Sequence, residues 1–552
     1  MNWVYSHLLT SIIFLPLAGM VIVALLPSRQ TRAIRLVSLI TSSVVLILAG
    51  KAFSLLKGSG EFEFVEIVSW IPSVHIFYKV GIDGVSLLLI LLTALLTPIA
   101  ILASWREIDR NVKTFHILIL LLETGMLGVF AALDLFLFYV FWEVVLIPMY
   151  FLIGIWGSGR RVRSALKFFI YTMAGSMLML AAILYASSAV GGSFDLVTWY
   201  AHRFGLMEQM FLFGAFAIAF AIKVPIVPFH TWLPDAHTDA PTAGSVILAG
   251  VLLKMGTYGF YRFAMPLFPL AVVKFAPLIL VLSVIGIIYG GLVAMVQPDI
   301  KRLVAYSSVS HLGFVMLGLF SLQPEAAQGA VLQMINHGLS TGALFLMVGM
   351  LYERRHTRMI EDYGGVAKSL PVIAAAFILI TLSSIGLPGL NNFVGEFLVL
   401  LGSFQTRTAY AAVSISGVVI SAIYMLWLVQ RVFFGEIKKE ENLKLHDLSV
   451  REYWVLAPIV ILIFFIGVWP RPWISRIERS TNAFLTLSKR VEMVVPVPSS
   501  EPAVQNQKAD NVDIQNSPTP PFSKGGNLTP PFSKRGGEGG FVSGLASRGN
   551  KL

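Results

Sequence analysis

Apolar residues in this chain fall in runs of about twenty, each closed by a short polar or basic break, and the runs are apolar all round rather than on one face. A bilayer core about 30 Å thick takes roughly 20 helical residues, and hydrocarbon offers no partner to an unpaired backbone group. The runs therefore read as membrane-spanning helices, at 8–27, 34–56, 83–104, 114–132, 135–156, 165–190, 209–230, 242–263, 275–296, 303–320, 328–352, 371–402, 409–434 and 452–470. The expectation is an all-α polytopic membrane protein of about fourteen transmembrane helices over residues 1–470. The first run has no basic residue before it and no small-residue cleavage site ahead of a soluble domain, so it reads as a retained helix.

Composition agrees with this: 56% of residues are hydrophobic and 13% charged. The formal charge of +11 does not point to nucleic acid, because the basic residues lie in clusters between apolar runs and not on one soluble face. With the N-terminus outside, the inner loops hold twenty-one Lys and Arg, among them Arg160, Arg161, Arg354, Arg355 and Arg358. The outer loops hold seven: Lys51, Lys57, Lys79, Arg203, Arg262, Lys274 and Arg407. That asymmetry places both termini outside for an even number of spans. With no cysteine, the chain has no cysteine-ligated iron–sulfur cluster, thiol nucleophile or disulfide. From 471 to 552 the composition turns to Pro, Gly, Ser and Lys, with a near repeat, Thr519-Pro-Pro-Phe-Ser-Lys-Gly-Gly and Thr529-Pro-Pro-Phe-Ser-Lys-Arg-Gly. Such a basic tail buries too little apolar surface to order itself, and disorder is expected there.

Ionisable side chains inside spans cost about 2.5–3.5 kcal/mol each on insertion scales, so each needs a partner, water or a function. Four stand out: Glu143, Lys223, Lys254 and Glu396. Lys223 is followed by Pro225 and Pro228, while Glu396 follows Gly386-Leu387-Pro388-Gly389 and Asn391-Asn392. Proline removes a donor and clashes with the preceding turn, so the seventh and twelfth spans are expected to be discontinuous. Breaks five spans apart suggest two inverted repeats, spans 4–8 and 9–13, since an odd number of helices per unit reverses its orientation. Glu143 and Lys223 could form a static ion pair that locks two helices. The working reading is that burial disfavours the charged form of each while each charge favours the other, so a small rearrangement moves a proton.

His311 and His337 also lie in apolar spans and are candidate relays between Lys254 and Glu396; interhelical hydrogen bonding is the equally weighted alternative, as it is for Ser307, Ser308, Ser310 and Asn336. Glu123 and Asp134 carry less weight, the first as a group paired with a neighbour and the second as a span end. His230, Asp235, His237 and Asp239 are metal-ligand types, but their setting among Pro228, Trp232 and Pro234 fits an ordered loop closing the seventh span better than a metal site. No P-loop, dinucleotide fingerprint or HExxH motif occurs.

The stretch from Lys223-Val-Pro-Ile-Val-Pro-Phe-His-Thr-Trp-Leu-Pro-Asp-Ala-His through Leu252-Leu-Lys254 resembles the antiporter-like core of proton-translocating NADH:quinone oxidoreductase, respiratory complex I. Glutamate rather than lysine at position 396, and a tail without apolar content for extra helices, make the chain most similar to the M-type (chain 4) branch. The resemblance covers roughly residues 1–470. It implies fourteen helices, inverted repeats, broken helices 7 and 12, and proton residues at Glu143, Lys223, Lys254 and Glu396. It further implies that NADH, FMN, iron–sulfur clusters and quinone are bound in other subunits and no cofactor in this chain. The implied partners are L-type and N-type antiporter-like subunits and the lipid bilayer, with no nucleic acid. The implied location is the bacterial cytoplasmic (inner) membrane, with both termini periplasmic. A multi-subunit cation/proton antiporter shares the same Glu and Lys machinery and is the main alternative, followed by a hydrogenase- or formate-linked complex. A membrane scaffold would instead tolerate neutralisation of the buried charges.

Overall fold

In the computed structural model, residues 7–437 and 439–490 are described. Seven long helices among the described residues precede the first break: α1 (Leu8–Leu25), α2 (Thr31–Leu55), α3 (Gly84–Glu107), α4 (Val112–Ala131), α5 (Leu135–Trp156), α6 (Arg161–Ala189) and, after a short helix at Leu196–Ala201, α7 (Leu206–Lys223). After a short helix at Trp232–Asp239 come α8 (Thr242–Leu267), α9 (Pro269–Met295), α10 (Ile300–Phe320) and α11 (Pro324–Arg355). Two short helices, α12 (Pro371–Ser384) and α13 (Asn391–Thr406), occupy the expected twelfth span, followed by α14 (Thr408–Phe433), α15 (Val450–Val468) and α16 (Arg471–Ser488). Thirteen helices among the described residues are long and apolar enough to cross a membrane.

Burial sorts them. The most apolar 18-residue stretches of α8 and α11 are wholly buried, whereas those of α1, α2, α6, α9, α14 and α15 leave most of their residues facing outward. The large side chains they expose include Leu, Ile, Val and Phe, with Met177, Tyr289 and Trp454 among them, as a lipid-facing surface requires. Aspartates set several helix starts: Asp83 accepts from Ser86 N, Asp134 from Phe136 N and Leu137 N, and Asp299 from Lys301 N and Arg302 N. Asp134 is thus a helix cap, and Glu123 accepts from Ser42 Oγ at 2.8 Å.

Three features go beyond the sequence reading. The stretch between α2 and α3, read there as a plain outer loop, holds an antiparallel hairpin of β1 (Glu63–Ile71) and β2 (Ile76–Ile82). The hairpin places the Glu66 carboxylate on Leu9 N, Thr10 N and Thr10 Oγ1, capping α1 from another element. Arg262, assigned to an outer loop, is instead buried at the end of α8 and paired with Asp83 at 2.6 Å, because Tyr258 and Phe62 cover its guanidinium. The tail drawn from residue 471 begins with a helix: α16 is amphipathic and seats Ile477, Phe484 and Leu485 inward, with Tyr261 Oη donating to Ser480 O at 2.9 Å. From 491 onward the tail lies outside the described residues.

Candidate functional site

Three buried ionisable groups, Lys223, Lys254 and Glu396, stand where a helix ends, widens or breaks. Lys223 is the last residue of α7, where the unpaired carbonyls of a helix end favour a cation. The turn through Pro225 and Pro228 follows at once, and Trp232 Nε1 reaches back to the Ile222 carbonyl at 2.9 Å, satisfying one of the freed acceptors. The Lys223 ammonium is buried over the faces of Trp142 and Phe168, 5.2 and 5.7 Å from their centroids, and Glu143 acts on it through space. No direct Glu143–Lys223 ion pair within 4.0 Å occurs among the described residues, and Glu143 Oε1 is buried without a hydrogen-bond partner. The two groups do not form the direct ion pair of the static reading.

Lys254 lies in α8 between two π-helical segments, Leu248–Leu252 and Phe260–Ala264. Such segments widen the helix and redirect its carbonyls, and Lys254 Nζ takes the Ala249 carbonyl as one acceptor. Its other contact is His337 Nδ1 of α11, at 2.6 Å. That contact needs α8 and α11 to run very close. A Cβ on Gly338 would stand 2.8 Å from the Gly250 carbonyl and 2.6 Å from Leu92 Cδ2, so the approach requires glycine.

His337 faces His311 of α10 with ring centroids 5.9 Å apart. His311 Nδ1 lies 2.8 Å from Glu396 Oε1, which also accepts from Gln333 Nε2 at 2.9 Å. Four of the six groups predicted from the sequence are thereby gathered in one line, Lys254, His337, His311 and Glu396, all of them buried, while Glu143 and Lys223 stand apart from it. The Nε2 atoms of both histidines have no protein partner.

Glu396 sits in α13 just after the break. The backbone turns there through Gly386 at φ +77°, a conformation that favours glycine, and a Cβ at Gly386 would come 3.3 Å from Glu396 Oε2. Polar side chains hold the break open. Asn391 Oδ1 accepts from Ser383 Oγ at 2.6 Å and from Ser340 Oγ at 3.3 Å, and Asn336 Nδ2 donates to the Asn391 carbonyl at 2.7 Å. Gln333, Ser340 and Ser383 are further members of the site; for Gln333 and Ser340 the signal is polar residues two turns apart on α11, and for Ser383 its place at the end of α12, just before the break. Ser307 and Ser308 bond back to the Val304 carbonyl of their own helix, and Ser310 Oγ reaches the Ile287 carbonyl of α9, so none of these bonds joins the line.

The four ligand-type residues after α7 go to separate partners. Asp235 pairs with Lys167 at 2.7 Å and Arg302 at 3.3 Å, and Asp239 accepts from Ser164 Oγ at 2.6 Å. His230 packs on Tyr289, and His237 stacks on Phe345 at 4.6 Å. Among the described residues no cluster of three or more His, Cys, Asp or Glu forms a metal site.

Residues 132–423 match the family described as NADH:quinone oxidoreductase/Mrp antiporter, transmembrane. The NADH-ubiquinone oxidoreductase chain 4 of Chondrus crispus is 43% identical over 479 residues, which cover 86% of this chain and 96% of the relative. NADH-quinone oxidoreductase subunit M of Rhodobacter capsulatus is 43% identical over 487 residues, covering 84% and 94%. Among solved structures, a chain of respiratory complex I from Thermus thermophilus superimposes with a TM-score of 0.81 at 33% identity, over 87% of this chain and 99% of that one. A chain of the Mrp complex from a Dietzia species superimposes with a TM-score of 0.78 at 19% identity, over 88% and 99%, a likeness of fold alone. With the interrupted helices and buried charges in place, these matches establish that the chain belongs to the NADH:quinone oxidoreductase/Mrp antiporter family, in its subunit M/chain 4 branch.

Proposed function

We propose that this chain is a proton-translocating membrane-arm subunit of NADH:quinone oxidoreductase, and that protons pass along Glu143, Lys223, Lys254, His337, His311 and Glu396. The observation that carries the reading is the buried line Lys254, His337, His311 and Glu396 across four helices, with a close contact at each end and the two imidazole centroids 5.9 Å apart between them. Lysine, imidazole and carboxylate each exist in two protonation states, so neighbours at hydrogen-bond distance exchange a proton with little movement. Buried ring nitrogens without a protein partner are ordinarily satisfied by ordered water.

The two breaks, at 224–231 and 385–390, support the inverted-repeat reading, with α12 and α13 as the halves of one span and fourteen spans in all. Electrons travel through NADH, FMN, iron–sulfur clusters and quinone in other subunits. The partners are L-type and N-type antiporter-like subunits, in a bacterial inner membrane with both termini periplasmic. The relatives at 43% identity are subunit M and chain 4 proteins, whereas the Mrp likeness stands at 19%, which favours the oxidoreductase reading over the antiporter one.

The test is proton uptake and quinone reduction measured in the same reconstituted vesicles. Glu396→Gln keeps hydrogen-bonding capacity toward His311 and Gln333 but cannot ionise, so both rates are expected to fall together by about tenfold or more. Wild-type values of both, in a fully assembled complex, would remove Glu396 from the path.

A further inference from the structure

At the far end of α14 stands a cation that the proton path does not use. Arg431 lies in the last turn of that helix with its guanidinium 4.0 Å from the Trp427 ring centroid. Two of its three nitrogens, Nε and Nη2, are buried and have no hydrogen-bond partner among the described residues. A guanidinium is a cation with five N–H donors and no acceptor, and no carboxylate lies within 4.0 Å of this one among the described residues, so its charge calls for an anion. Beside it opens a recess of about 580 Å³ lined by Tyr363, Trp427, Gln430 and Arg431, with two exposed carboxylates, Glu361 and Glu436, on its wall. Neither carboxylate is in an ion pair among the described residues.

We propose that this recess binds the headgroup of a phosphoethanolamine phospholipid, with the phosphate on Arg431 and the ammonium on Glu361 or Glu436. Two observations select this chemistry. First, a free phosphate would meet two carboxylates across the same recess, whereas a zwitterion presents a matching charge to each side. Second, the recess is the end of an outward apolar stripe: Val419, Ile423, Leu426 and Trp427 are 57%, 49%, 46% and 43% exposed and climb α14 one turn at a time towards Arg431. Acyl chains laid on that stripe bring a headgroup to the level of the tryptophan and arginine, the residue types that mark a membrane interface. An ammonium with N–H donors suits the carboxylates better than a quaternary choline, which has none.

The purified whole complex, in nanodiscs carrying a photoactivatable phosphatidylethanolamine, tests the assignment by mass spectrometry of the labelled peptides. Labelling is expected within residues 427–436, and Arg431→Gln should lower it about fivefold, the weight of one interfacial basic residue, while Arg431→Lys retains most of it. Unlabelled phosphatidylethanolamine should compete better than phosphatidylcholine or phosphatidylglycerol, and Glu361→Gln with Glu436→Gln should erase that preference while leaving labelling. The double variant spares Arg431, so it decides the matter even where Arg431→Gln fails to assemble. Equal labelling in wild type and Arg431→Gln, loss of labelling to inorganic phosphate, or protection of 427–436 by a neighbouring subunit would each overturn the proposal.

Discussion

At the scale of single residues, the molecule separates charges that hold structure from charges placed to move. Asp83 and Arg262 are both buried, 2.6 Å apart, and surrounded by Ser86, Tyr258 and Phe62. Removing one partner strands the other, so Asp83→Ala is expected to cost about 3–5 kcal/mol and to appear as a lower unfolding temperature and poor incorporation of the subunit. Glu143 is the opposite case. Its Oε1 has no partner and no direct ion pair joins it to Lys223, and glutamine in its place keeps a carbonyl oxygen for the Tyr139 hydroxyl, so neutralising it breaks little. Glu143→Gln should therefore assemble normally yet lower proton transport by about tenfold or more, with Glu143→Asp retaining part of it. Wild-type transport in an assembled Glu143→Gln complex would return the residue to a structural role.

At the scale of elements, the decisive feature is how closely α8 and α11 approach. Gly338 sits beside His337, and its missing Cβ leaves room for the Gly250 carbonyl and Leu92. Gly338→Ala is expected to cost about 1–3 kcal/mol as overpacking and, by spreading the helices, to lengthen the Lys254–His337 contact and slow pumping. Gly342, one turn along α11, has no atom nearer than 3.7 Å to its would-be Cβ, so Gly342→Ala is the matched control and should leave activity unchanged. Equal behaviour of the two variants would show that the approach of the helices does not govern the line. The breaks themselves were legible in sequence, because Pro225, Pro228 and Pro388 cannot continue a helix in register. The π-helical segments around Lys254 were not, since Leu248 to Leu252 carries no residue that forbids an ordinary α-helix and only the packing partners select the wider turn.

At the scale of the whole molecule, the distribution of basic residues makes a topological prediction. Arg160 lies in an exposed loop between α5 and α6, and Lys57 in an exposed loop after α2. The chain has no cysteine, so single cysteines report without background. An impermeant thiol reagent added to right-side-out cells is expected to label Lys57→Cys and to spare Arg160→Cys. The reverse pattern would invert the proposed orientation. The same scale explains why α8, α10 and α11 carry the line: they are the most deeply buried of the membrane helices, where a charge is shielded from lipid on every side.

By itself, the sequence determined the membrane class, the positions of the apolar helices, the two breaks and the buried groups Glu143, Lys223, Lys254, His311, His337 and Glu396, because hydrophobic length, proline and intramembrane charge are local properties. Tertiary structure decided what those groups touch. It set the two histidines between lysine and carboxylate, brought Gln333 of α11 to Glu396, kept Glu143 off Lys223, and turned a stretch read as loop into a hairpin that caps α1. Such contacts join residues as far as 85 positions apart in the chain, as in the His311–Glu396 pair, and no local pattern encodes which side of a uniformly apolar helix meets which neighbour. Small residues at the crossing points and the packing of all the helices together make that choice.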